Sequence, residues 1–250
     1  MNNDLYVYVL RQADNAMILC QRLCQWVANG PELEEDIALT NIGLDMIGQA
    51  KSLYQYAASL SDEDVSEDDL VFMRDERDWT NLLLVEQPNG NFADTIARQY
   101  FYDVWHYFFL QQLESSRDEK LSAIAAKSIK EARYHLRHSS TWVKRLGDGT
   151  EISHQKMQAA IDEMWLYTPE LFENDDLDQR MVDAKIGVDL LKVKTLWEEH
   201  VKETLVEAKL EQPEEAFLMV GGRQGIHSQH MGYLLAEMQI LPRSMPGCEW

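Results

Sequence analysis

The stretch Leu82 to Phe109, LLLVEQPNGNFADTIARQYFYDVWHYFF, constrains the fold more than any other. It opens with an apolar run, breaks at Pro88-Asn89-Gly90, and restarts as a helix for which Asn91 is the predicted N-cap. At about 100° per residue, Phe92, Ile96, Tyr100, Asp103, Tyr107 and Leu110 share one face. Phe101, Trp105 and Phe108 fall on the other side, so the helix is apolar nearly all round. A helix of that kind is buried on both sides, in a large core or between subunits. Asp103 then stands in the middle of an apolar face, with His106 one turn on. A carboxylate in that place needs a partner or a metal, because desolvating it alone is costly.

The rest of the chain reads as helix too. Only 6 Pro and 12 Gly interrupt 250 residues, which leaves long periodic segments and predicts an all-α protein. A first helix over 4–28 closes at Asn29-Gly30-Pro31 and sets Asp14 on a face with Val7, Leu10, Met17 and Ile18. The second, over 33–60, carries a polar strip of Asn41, Asp45, Gln49 and Ser52 flanked by Leu39, Ile42, Met46 and Leu53. Gly43 and Gly48 weaken that helix but let a neighbouring backbone come close. Residues 61–69 form an acidic loop, and 71–85 a short helix before the Pro-Asn-Gly break. The fourth long helix, 120–146, has Leu121, Ala125, Ile129, Ala132, Leu136 and Val143 as its core stripe, bordered by Glu131 and His135. Ser153 is predicted to cap a fifth helix running to 172, followed by an acidic connection. Helices over 190–210 and 226–240 complete the chain, with a glycine-rich turn at Gly221 to Gly225 between them. There is no internal repeat or clear linker, so residues 1–250 are predicted to form one ferritin-like helical domain: a four-helix bundle core with additional C-terminal helices.

Charge narrows the function. With 23 basic against 43 acidic residues, the net charge of −20 argues against nucleic acid or an anionic membrane as the main partner. No stretch approaches the roughly 20 apolar residues of a membrane span, and Asp4 precedes any apolar run that could serve as a signal. Three cysteines are too few for a disulfide framework; Cys20 and Cys24 read as small core residues of a protein in a reducing cytoplasm.

Four long helices each aim one acid inward: Asp14, Asp45, Asp103 and Glu131. Di-iron carboxylate bundles use this plan, with a Glu from two helices and Glu-x-x-His from the other two. The sequence departs from it in detail. Three of the acids are Asp, Gly48 stands where a His belongs after Asp45, and Tyr134 stands where one belongs after Glu131, with His135 displaced by one. Asp103-x-x-His106 has the right spacing on the wrong helix. The reading is a vestigial di-iron-like site at Asp14, Asp45, Asp103, His106, Glu131 and His135, with no metal, cofactor or catalytic residue of its own. Its polar groups are expected to satisfy one another. Glu151-x-x-His154, His227-x-x-His230 with Glu237, and a phosphate cradle at Gly221 to Gly225 are weaker candidates, each outweighed by an ordinary helix start or packing role.

Several runs then carry a family likeness. LLLVEQPNGNFADTIARQYF at Leu82 to Phe101, IGLDMIGQA at Ile42 to Ala50, IKEARYHLRHS at Ile129 to Ser139 and LAEMQ at Leu235 to Gln239 resemble the C-subunit family of bacterial phenylacetyl-CoA ring epoxidases. Pro246-Gly247 with Trp250 fits as well. The resemblance spans essentially the whole chain. It implies a ferritin-like bundle in a multicomponent oxygenase of aerobic phenylacetate degradation, whose related A subunit holds the di-iron centre and binds the CoA thioester. It further implies that a chain of this kind supports the A subunit without a metal of its own. The partners expected are that A subunit and the other subunits of the complex, or a second copy when the chain is isolated. The alternative is a di-iron oxygenase or oxidase with its own metal site.

Overall fold

The computed structural model describes residues 2–214 and 218–248; Trp250 lies outside the described residues. Among the described residues every regular element is helical. The ten α-helices are α1 (Asn2–Cys24), α2 (Leu33–Leu60), α3 (Glu67–Phe72), α4 (Leu83–Glu86), α5 (Phe92–Leu113), α6 (Glu119–Gly147), α7 (Glu151–Trp165), α8 (Asp176–Asp183), α9 (Leu190–Glu207) and α10 (Met231–Ser244). The chain is all-α, as predicted, and consistent with a ferritin-like family. It divides into two compact units, Met1–Gln87 with Gly221–Trp250, and Pro88–Val220.

In the first unit α1 packs along α2, and α10 packs on α1 and α3. Val9, Ala13, Ile18, Leu19 and Leu23 of α1 are fully buried, as are Leu39 and Ala57 of α2. Gly43 faces α1: a Cβ added there would meet Leu23 Cβ at 3.5 Å. The expected close approach is therefore real at this glycine. Helix α1 stops at Cys24, short of the predicted 28, because the chain turns over residues 25–29 with Ala28 at φ 64°. The helix expected over 71–85 breaks into α3, a 3-10 turn at Glu76–Asp78, and α4. Its acids explain the break. Asp69 and Asp78 close capping boxes with Ser66 and Asp75, satisfying backbone donors of new helix starts rather than continuing an old one. The last helix starts at Met231 rather than 226, after a 3-10 turn at Gly222–Gln224.

In the second unit α5 is central, with α6, α7 and α9 packed on it. Asn91 caps α5 as predicted, its side chain accepting from the Ala93 amide at 2.8 Å, and Asp94 returns the bond to Asn91 N at 2.7 Å. The aromatic side of α5 is filled within this unit. Phe101 lies 5.6 Å from Trp165 and 5.7 Å from Trp197 between ring centroids. Trp197 Nε1 donates to Phe101 O at 3.0 Å, and Trp105 Nε1 to Leu171 O at 3.0 Å. Phe101 and Trp105 are fully buried. The second apolar face of α5 is thus core, not a surface left for a neighbour. Thr150, not Ser153, caps α7, which ends at Trp165 before a 3-10 turn at Pro169–Phe172. The acidic connection contains α8, started by an Asp175–Asp178 capping box.

Candidate functional site

Three buried polar clusters bring ionisable side chains together, two in the first unit and one in the second. The first is built on Asp14. Tyr54 donates its hydroxyl to Asp14 Oδ1 at 2.7 Å, and Thr80 donates to Oδ2 through its amide at 2.9 Å and its hydroxyl at 3.0 Å. The Arg74 guanidinium pairs with both oxygens, Nη1 reaching Oδ2 at 3.1 Å and Nη2 bonding Oδ1, and it lies over the Trp79 ring at 4.4 Å. Burial lowers the Arg74 pKa, but the Asp14 carboxylate and the neighbouring Tyr54 outweigh it and the net shift is upward. Every acceptor direction of Asp14 is used, and its charge is met by a guanidinium.

The second cluster centres on Glu86, fully buried in α4. Its Oε1 accepts from Asn81 Nδ2 at 3.0 Å and faces His227 Nδ1 at 2.5 Å, while Oε2 accepts from Ser228 through its amide at 2.9 Å and its hydroxyl at 2.7 Å. The other ring nitrogen of His227, Nε2, lies 3.0 Å from Trp79 O. Two acceptors facing one imidazole favour the doubly protonated ring. Burial lowers the His227 pKa, but Glu86 and the Trp79 carbonyl outweigh it and hold it above the ordinary value. The backbone of Glu86 is pinned too, its carbonyl accepting from Arg22 Nε at 2.9 Å.

The third cluster, in the second unit, is Asp103 and His106 of α5 with His135 and Ser139 of α6, all buried. Burial pushes the Asp103 carboxyl up to about 7, against the opposing influence of His135, Ser139 and Arg98. The Ser139 hydroxyl also lies 3.1 Å from His135 O, and its one proton serves a single acceptor at a time. Burial and the neighbouring His135 hold His106 down at about 3. Asp103 Oδ2 and His106 Nδ1 are buried without a hydrogen bond.

The six positions expected to form a vestigial site therefore differ in environment. Asp14, Asp103, His106 and His135 are buried; Asp45 and Glu131 are only half-buried, at helix edges rather than on inward faces. Tyr134, in the place of a ligand His, is 40% exposed. Among the described residues no group of three or more His, Cys, Asp or Glu side chains is placed to hold a metal ion. Arg74, Tyr54 and Thr80 already take the oxygens of Asp14, which leaves that acid none to share with an iron pair.

The weaker candidates resolve into structure. His154 Nδ1 lies 2.7 Å from Gly147 O, and Glu151 accepts from Gln155 at 2.7 Å. Glu237 accepts from Gln25 at 3.3 Å. A side chain at Gly225, whose φ is 72°, would run into Arg77 O, so this glycine serves a tight backbone approach rather than a phosphate. Cys20 is buried as predicted, but Cys24 is exposed, its thiol lowered to about 6 by Cys20 Sγ at 3.9 Å. Among the described residues no helix is long and apolar enough to cross a membrane.

An all-helical chain in which Asp14 is held by Arg74, Tyr54 and Thr80, and Glu86 by His227 and Ser228, falls in a recognisable class. The model of the phenylacetic acid catabolic protein family matches residues 1–250, and the chain belongs to that family. It is 52% identical, over 248 residues covering 99% of this chain and 100% of the relative, to the C subunit of the 1,2-phenylacetyl-CoA epoxidase of Escherichia coli (strain K12). The family likeness read from the Leu82 to Phe101 run and its companions is thereby established.

Proposed function

We propose that this chain is a structural, non-catalytic subunit of a multicomponent phenylacetyl-CoA ring epoxidase, acting as one ferritin-like domain that supports a di-iron A subunit in the cytoplasm. The end-to-end likeness to the C subunit of such an enzyme is the first support. The observation that carries the reading is chemical: Asp14, one of the four helix-borne acids of the di-iron plan, is saturated by Arg74, Tyr54 and Thr80. An arginine bound to both carboxylate oxygens supplies the positive charge that a metal would supply in an active bundle. The test is metal content joined to reconstitution. The chain purified from iron-supplemented cells is expected to hold well under one iron. Epoxidation by the A subunit and the remaining components is expected to be lost when this chain is left out. Two irons per chain with a carboxylate-bridged spectrum would overturn the proposal.

A further inference from the structure

The outer face of α2 is apolar and uncovered. Leu33, Ile37, Leu44 and Ile47 are 71, 52, 61 and 42% exposed. At about 100° per residue their directions fall within roughly 80° of one another, opposite Leu39, Ile42, Met46 and Leu53, which are buried. The steps from 33 through 37, 40, 44 and 47 alternate four and three residues, the spacing of a helix-packing seam, with Thr40 as its one polar member. The seam is about 21 Å long from the rise of 1.5 Å per residue.

Gly48 is the second observation. Glycine weakens a helix interior, and its use there is to let another group come close to the backbone. Gly43 has such a group in Leu23, but a Cβ at Gly48 would meet nothing within 4 Å. Gly48 lies on the edge of the exposed seam, where it leaves bare backbone for something outside the chain to approach.

Charge decides what that something is. Glu34 and Asp45 border the seam on one side and Asp36 on the other, Lys51 is the one basic residue of α2, and the whole chain carries −20. Two copies joined through this seam would set acidic flanks against each other, which disfavours self-association. A helix with an apolar stripe and basic flanks fits. We propose that the Leu33/Ile37/Leu44/Ile47 seam, opened at Gly48, is the docking face for such a helix of a different subunit; this rests on the function proposed above and names the surface it uses.

The experiment is sedimentation of the full chain with the purified A subunit, for wild type, Gly48→Leu, Leu44→Glu and, on α7, Ile152→Glu. Because the space above Gly48 is empty, Gly48→Leu should leave the thermal midpoint unchanged or raised. It and Leu44→Glu should weaken binding at least tenfold, while Ile152→Glu binds as wild type does. If wild type binds and both seam variants bind equally well, or Ile152→Glu loses as much as they do, the docking face is wrong and the proposed function stands. A lowered midpoint for Gly48→Leu would place the seam inside this chain and overturn the inference. A wild-type homodimer that the seam variants dissociate would make the occupant a second copy and overturn it likewise. Absence of any wild-type complex would instead remove the proposed function.

Discussion

Burial shifts the Asp103 carboxyl and the His106 imidazole in opposite directions. The Asp103 carboxyl, raised by burial to about 7 from an ordinary value near 3.9, binds its proton more tightly in the folded chain. Its contribution to stability is therefore complete below about pH 4 and lost as pH rises through about 7. His106, lowered by burial and His135 to about 3, contributes stability that is complete above about 6.5 and lost as pH falls toward 3. Between pH 4 and 6.5 the two slopes oppose. Asp103→Asn should equal wild type in stability near pH 4 and exceed it by a few kcal/mol at pH 8, because only the variant escapes the cost of ionising a buried carboxyl. Urea unfolding of both at the two pH values checks this; a variant no more stable at pH 8 would show that Asp103 ionises at little cost. Removing the Asp14 side chain should have the opposite effect on stability. Asp14→Ala strands the Arg74 guanidinium, whose side chain is 12% exposed, and should destabilise by about 3–5 kcal/mol. Removing both partners in Asp14→Ala/Arg74→Met should recover much of that loss, and the double-mutant cycle measures the coupling.

At the scale of elements, Glu86 ties the segment leading into α10 to α4. Its contacts to His227 and Ser228 span 141 and 142 residues of sequence. With the His227 pKa held above 6.5, this tether is complete below about pH 6.5 and is lost as pH rises through the folded value. Amides of α10 should then exchange faster, relative to those of α1, at pH 9 than at pH 6 after correction for intrinsic rates. In His227→Gln the pH effect should disappear. This pair also marks what a sequence can reveal. Helix α2 is legible to the residue, and Asn91 as a cap, because period and capping chemistry are local. Asp103 is legible as a buried acid because it interrupts an apolar face. Glu86 stands in plain view in LLLVEQPNG, an acid in an apolar run, yet its partner lies far along the chain and no local spacing announces it. The same holds for Asp14, whose inward aim can be read but whose capture by Arg74 cannot. The break of 71–85 into separate turns escapes the pattern because its capping acids resemble ordinary solvated charge.

For the whole molecule, the distribution of apolar surface matters more than its amount. Helix α5 has the pattern of a face that a neighbour would cover, yet Trp165, Trp197 and the backbone of Leu171 close it within its own unit. The seam on α2 is left exposed instead. A subunit that acts through assembly should tolerate changes at half-buried acids outside its core, apart from any effect on docking. Asp45 and Glu131 are of that kind. Asp45→Asn and Glu131→Gln, reconstituted with the A subunit and the remaining components of the epoxidase, should reduce turnover only in proportion to any loss of assembled complex. The measurement is turnover per assembled complex, with the complex quantified in the same sample. A ratio equal to wild type for both variants is the outcome expected of a supporting role. A fully assembled complex that no longer turns over would mean that these acids take part in the chemistry, because removing one charge without disturbing packing or assembly leaves no structural route to the loss.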